Sequence, residues 1–404
     1  MEQTKKSRTL LMFILYGTMF VFGFLENIKG VSYPLIKNEF DVSYETQGMM
    51  ISILSISYTL FVVAAGFMLG HFGAKKIYFF GLTCSLLALS SIYLMPGFWT
   101  AASSLFFLFA GFGIFEIAVN GVATQLFIKK AALMMSLLHF MYGAGAIAGP
   151  KAAGILADPA GLGMQWRQIY LLSVPLVLII FIPLIFAKFP AAKGEAAQKN
   201  LGYISALKTP SVWIFGITLG VMIGLEMASP NWGGLYFQDL YGMDPTTRGA
   251  NFVSVFFILF TLSRLTSGFI IEKIGYMNSL IGAVLICSAI FITGFALGET
   301  GIYVLPLLGF FLAIFWPTLM AVAIGYFGNN APIMTSAIIA IAGLLNAGIQ
   351  LVMGYINQWA GAGWGYRSCL LFAAILICLL LVLKNRMKLF TKYAYTRRPG
   401  GELK

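Results

Sequence analysis

The chain has 404 residues, of which 59% are hydrophobic and only 10% charged, against about 25% charged in a soluble domain; it cannot cover itself in water, which excludes a soluble enzyme. Its net charge of +12 at pH 7 would suit nucleic acid if the basic residues formed one face, but they are spread over short stretches and the two tails, so the charge reads as a topology signal. The four cysteines (Cys84, Cys287, Cys369, Cys378) lie in or beside apolar runs without metal-ligand spacing and read as packing residues.

Apolar runs long enough to cross a bilayer occur at about 9–34, 47–70, 76–95, 99–128, 131–156, 168–188, 210–238, 248–271, 276–297, 301–327, 331–357 and 365–384, each bounded by Gly, Pro, Asn or charge. The first has no small-residue cleavage site after it and is expected to be a retained span, not a cleaved signal. Twelve spans put both termini on one side. Outside the tails and the even-numbered loops, Lys and Arg occur only at Lys29, Lys37, Arg167, Arg248 and Arg367, plus Lys151 and Arg264 within spans. That asymmetry predicts cytoplasmic termini and a cytoplasmic 189–209 loop in a multi-pass protein of the cell inner (plasma) membrane. The loop, with Pro190, Gly194 and Gly202, divides the chain into six-helix bundles at 1–189 and 210–390, joined by a 190–209 linker and followed by a 391–404 tail.

The halves repeat at an offset near 200 residues. Leu25-Glu26 matches Leu225-Glu226, Ile114-Phe115 matches Ile314-Phe315, and Met134, Ser136 and Gly143 match Met334, Ser336 and Gly343. With a two-residue slip, Gly66-Phe67 and Gly73 match Gly268-Phe269 and Gly275. Two repeats pointing the same way are related by an axis along the membrane normal, and their substrate site is expected near the midplane between them.

The stretch Gly66-x-x-x-Gly70-His71-x-Gly73-Ala74-Lys75 resembles the major facilitator loop signature Gly-x-x-x-Asp-Arg-x-Gly-Arg-Arg, with Gly70 and His71 replacing the usual acid and base; the second copy, Gly268-x-x-x-Glu272-Lys273-x-Gly275, keeps both. Within that superfamily, Phe115-Glu116-Ile117-Ala118-Val119-Asn120 resembles the Leu-Glu-Thr-Ala-Ala-Asn segment of the fucose-galactose-glucose:proton symporters. Gly145-Ala146-x-Ala148-Gly149-Pro150 and Phe315-Trp316-Pro317-Thr318 are similar to that family's fifth and tenth spans. In the first span, where fucose permeases carry a functional Asp, the ungapped register places Gly30, with Glu26 a turn away. The resemblance implies the major facilitator fold, all-α and integral to the membrane, and symport of a sugar by alternating access.

Ionised residues within spans are costly and usually have a task, and the candidates for proton coupling are Glu116, Glu26 and Glu226. Glu116, apolar-flanked at mid-span with Asn120 one turn on, is a candidate proton carrier, against the alternative of a neutral hydrogen-bonding Glu. Glu26 and Lys29, three residues apart, share a face and could neutralise each other, with Lys29 near enough to the outer surface to snorkel. Glu226, the repeat of Glu26, precedes Pro230-Asn231-Trp232-Gly233-Gly234, a pattern expected of a broken, cavity-lining helix. Arg264 is expected in a charge latch with Glu272, and Lys151 either binds an anionic solute or pairs with a carboxylate such as Glu26. Candidate substrate contacts are Asn120, His139, Tyr142, Asn231, Trp232, Trp316, Asn346 and Gln350; the amides suit sugar hydroxyls and the indoles a sugar's apolar face, helix packing being the alternative for each.

The expected activity is proton-coupled uptake of a sugar or similar small polar solute, with sodium left open as the coupling ion and proton-driven efflux of a drug or metabolite as the competing transport reading. A membrane enzyme acting on lipid lacks its usual residues: His71 and His139 are the only histidines and form no metal motif. No cofactor and no nucleic acid are expected, and the partners are a small-molecule solute, protons and the bilayer, around a monomer.

Overall fold

A computed structural model of the chain describes residues 5–127, 131–189 and 203–396. No strand occurs among them. Ten stretches are long and apolar enough to cross a membrane; one of these, Gly298–Ala360, holds two spans. The remaining span is Ala74–Ile92, whose 19 residues at about 1.5 Å each nearly match a hydrocarbon core of roughly 30 Å. The fold is thus an all-α membrane protein of twelve spans.

In chain order the spans are Lys5–Asn27 with Lys29–Phe40, Tyr44–Phe72, Ala74–Ile92, Phe98–Leu126, Ala131–Ala157, Trp166–Leu172 with Val174–Phe186, Pro210–Tyr241, Ala250–Ile274, Tyr276–Ala296, Leu308–Leu312 with Phe315–Phe327, Ala331–Ala360, and Trp364–Arg367 with Cys369–Thr396. The expected 190–209 linker lies outside the described residues except for the short helix Tyr203–Leu207. The last helix runs six residues into the segment expected as a tail, and 397–404 lie outside the description, as do Lys129, Lys130, Lys193 and Lys199 of the topology signal.

Two sequence features fix the turns between spans. Gly73 and Gly275 end the second and eighth spans at φ 77° and 89°, a region that a Cβ disfavours, which explains why both copies of the loop signature keep this glycine. Small residues then set how closely the helices approach, since lipid supplies no hydrophobic drive for helices to associate. A Cβ at Gly145 or Gly149 would stand 2.0 or 2.2 Å from the carbonyl oxygens of Phe20 and Phe24, so the fifth span lies directly on the first. Gly216, Gly220 and Gly224, one turn apart along the seventh span, receive Ile341, Leu345 and Ile349 of the eleventh in the same way.

The helix interruptions fall elsewhere than expected. The seventh span is one continuous helix, Pro210–Tyr241, despite Pro230 inside it. Neighbours hold the helix together there, as Asn231 and Trp232 are both hydrogen-bonded to Gln350. The first span breaks instead at Ile28, between Glu26 and Lys29, and the tenth at Ala313 and Ile314.

Contacts between the first six and last six spans are uneven across the membrane. On the side away from the termini, Gly48 meets Gly354, Gly154 meets the carbonyl of Thr246, and Gly234 approaches the carbonyl of Gly30. Tyr44 and Lys37 both reach Asp239 there, Lys37 at 4.0 Å. Near mid-depth Thr59 packs on Gly343 and Thr261 on Gly143. On the side of the termini, by contrast, Gly66, Gly70, Gly268 and Gly325 have nothing within 4 Å of a Cβ position.

Candidate functional site

The uneven contacts leave a cavity of about 730 Å³ between the two sets of spans. It runs from Tyr33 and Asn231, beneath the sealed side, past mid-depth to Gly268, Glu272 and Tyr276 at the ends of the eighth and ninth spans nearest the termini. Both the tenth span, through Ala313, Trp316 and Thr318 beside its interruption, and the first, through Glu26 and Lys29 beside its own, contribute to the wall.

All three carboxyls singled out for proton coupling face this cavity. Glu26 is the most heavily bonded: Lys29 Nζ is 3.3 Å from its Oε1, and Tyr142 donates its hydroxyl to Oε2 at 2.7 Å. Asn27 in turn donates to the Tyr142 hydroxyl at 3.5 Å. Lys29 does not snorkel. It is 3% exposed, paired with Glu26 and 5.9 Å from the centroid of the Phe109 ring. Glu116 accepts from the amide of Asn120 at Oε1, 3.1 Å, while the same amide bonds the Glu116 carbonyl at 2.7 Å. Glu226 makes no ion pair within 4.0 Å among the described residues.

The structure separates the substrate candidates. Asn120, His139, Tyr142, Asn231, Trp316 and Asn346 line the cavity. Trp232 and Gln350 do not: they are 1% and 0% exposed and stand behind the wall. Gln350 Oε1 accepts from Asn231 at 3.1 Å and from Trp232 Nε1 at 2.9 Å, and its amide donates to Asn346 Oδ1 at 3.2 Å. Gln350 therefore aims two wall residues, Asn231 and Asn346, and has no hydrogen-bonding group left for a solute. Gln350 is four residues from Asn346, but the closely packed seventh span takes that face of the helix at Gln350.

Two further corrections concern basic residues. Lys151 neither lines the cavity nor reaches Glu26; it bonds Asn251 of the eighth span at 2.7 Å in an exposed position. Arg264 and Glu272 both line the cavity, but no ion pair joins them in this conformation, and the Arg264 guanidinium lies over the Phe260 ring, 4.4 Å from its centroid.

Thr59 and Thr261 are wall residues that sequence reasoning missed. Their separation of 202 residues follows the same slip as Gly66 and Gly268, which is the signal that would have found them. Tyr58, Phe109 and Phe260 also line the cavity, but in a chain this aromatic nothing local sets them apart from packing residues.

Twelve spans around a charged cavity sealed on one side define a membrane transporter, not an enzyme. The model of the Major Facilitator Superfamily matches residues 15–337, and the chain belongs to that superfamily. It is 23% identical over 390 residues to the L-fucose-proton symporter of Escherichia coli, covering 86% of this chain and 87% of that protein. Among solved structures, it superposes with a TM-score of 0.64 on the transporter FucP in the outward conformation, at 19% identity over 93% of this chain and 99% of that one. A bacterial homologue of the human lysosomal transporter Spinster, inward-facing and unoccupied, gives 0.75 at 14% identity, covering 94% and 97%.

Proposed function

We propose that this transporter takes up a sugar or similar small polar solute together with protons by alternating access, as a monomer in the cell inner membrane with both termini cytoplasmic. In that orientation the structure is inward-facing. The cavity carries the reading: it extends toward the side of the termini and holds three glutamates and a set of amide and hydroxyl groups at mid-depth, while packed glycines close the other side. The two six-span halves, 1–189 and 210–390, would rock about the Thr59–Gly343 and Thr261–Gly143 contacts, opening one side as the other closes.

Glu116 is the proton carrier in this scheme. Its one side-chain hydrogen bond, from Asn120, leaves the carboxyl free to gain and lose a proton, whereas Glu26 is tied to Lys29 and Tyr142. Glu226 is a second carboxyl on the route, and Asn120, His139, Tyr142, Asn231, Trp316 and Asn346 contact the solute. The test is uptake of labelled L-fucose, D-galactose and D-glucose by reconstituted protein under an imposed proton gradient, then under a sodium gradient with no proton gradient. Accumulation under the first and not the second is expected. Accumulation of none of them under either gradient, with an intact fold, overturns the sugar reading, and accumulation driven by sodium alone overturns the proton.

A further inference from the structure

Resting on the reading of the cavity as a solute site, we infer that its solute is an anionic polyol, a sugar acid, whose carboxylate is held by Arg264. Two Lys or Arg side chains face the cavity, and they differ in kind. Lys29 is spent on Glu26 at 3.3 Å. Arg264 has no carboxylate within ion-pair distance among the described residues, and its Nε is buried without a hydrogen-bond partner. The guanidinium lies over the Phe260 ring.

A cation within a span is expensive to keep and is normally paired, and a buried N–H left unbonded adds a further cost. Arg264 carries both costs in a cavity wide enough to admit a solute, so the partner it lacks is one that arrives. A planar guanidinium takes a carboxylate by two parallel hydrogen bonds. The hydroxyl of Thr261 and the Oδ1 of Asn231 also lack partners, but both are closed off in this state, so the groups of the same wall that suit the hydroxyls of a polyol are the amides of Asn120 and Asn346 and the hydroxyl of Tyr142. Arg264, Glu116 and Glu226 line the same cavity, so a solute carboxylate there would be repelled by a charged Glu116, and anion and proton enter together.

The test compares matched pairs on the purified protein by thermal stabilisation: D-glucuronate against D-glucose, and D-galacturonate against D-galactose, at equal ionic strength. Each pair differs by one carboxylate. At least one acid is expected to stabilise the wild type at a concentration at least about tenfold below that of its neutral counterpart, as the loss of a charged hydrogen bond implies. Arg264→Gln should abolish the acid's advantage, and Arg264→Lys, which keeps the charge but not the fork, should leave part of it. If a neutral sugar stabilises as well as its acid, the inference falls and the sugar reading stands; if no sugar or sugar acid stabilises, both fall. Equal acid stabilisation of wild type and both variants would remove Arg264 from the site. Should Arg264→Gln fail to fold, the matched pairs on wild type and Arg264→Lys still decide.

Discussion

Gly48 and Gly354 meet backbone to backbone on the side away from the termini: a Cβ on either would lie 2.8–2.9 Å from the other's Cα. That contact exists only while this side is closed. Gly354→Ala should therefore penalise the observed state by about 1–3 kcal/mol, the usual cost of overpacking, and shift the conformational balance toward opening on this side. Spin labels at the outer ends of the second and eleventh spans should report a longer distance, whereas Gly66→Ala, with nothing within 4 Å of its Cβ position, should leave it unchanged. Equal distances in wild type and Gly354→Ala would mean that the glycine pair does not set the balance.

Glu116→Gln should abolish accumulation of solute against a gradient while exchange of labelled for unlabelled solute survives. The amide keeps the shape of the carboxyl but cannot titrate, and it can still bond Asn120. Reconstituted variant that concentrates solute under an imposed proton gradient would reduce Glu116 to a helix-bridging residue.

Asn346→Ala and Gln350→Ala should part company. Asn346 lines the cavity, so its loss should weaken solute binding by about 0.5–1.5 kcal/mol per neutral hydrogen bond and cost the fold only the one bond that it accepts from Gln350. Gln350 is fully buried and bonded to Asn231, Trp232 and Asn346. Removing it strands buried polar groups, with a stability loss of about 1–3 kcal/mol for each. Thermal melts and binding measured on both variants check the division, and an unchanged melt for Gln350→Ala contradicts it.

Labelling tests the orientation. Single cysteines at Trp359, 81% exposed on the side away from the termini, and at Phe269, 83% exposed on the side of the termini, in a background lacking the four native cysteines, should react differently with an impermeant thiol reagent on intact cells. Trp359→Cys should label and Phe269→Cys should not; the reverse pattern would invert the topology.

Hydropathy alone makes the spans legible, because a bilayer demands length and apolarity from each segment whatever its neighbours. The in-membrane charges were legible for the same reason: Glu26, Glu116, Glu226 and Arg264 each stand out against an apolar run, and all four face the cavity. What the sequence withheld was rotation. Asn231 and Trp232 are adjacent, yet one lines the cavity and the other lies behind it, because the setting of the seventh span about its axis is fixed by Gly216, Gly220 and Gly224 against the eleventh. Breaks were equally hidden. Pro230 sits in an unbroken helix held by Gln350, whereas Ile28, with no proline beside it, interrupts the first span. Propensity marks where a helix can break, and tertiary contacts choose where it does.

The Lys29–Glu26 pair also has an electrical consequence. Each elementary charge carried through the membrane potential exchanges about 2.3 kcal/mol per 100 mV. An acid and a base three residues apart and in contact at 3.3 Å move through that field as a short dipole, so rocking of the first span transfers almost no charge. The current per turnover is left to the proton on Glu116 and the solute on Arg264. A monoanion entering with one proton carries none: its uptake would answer to the pH difference across the membrane and stay indifferent to voltage, whereas a neutral sugar entering with the same proton would draw one positive charge inward per cycle.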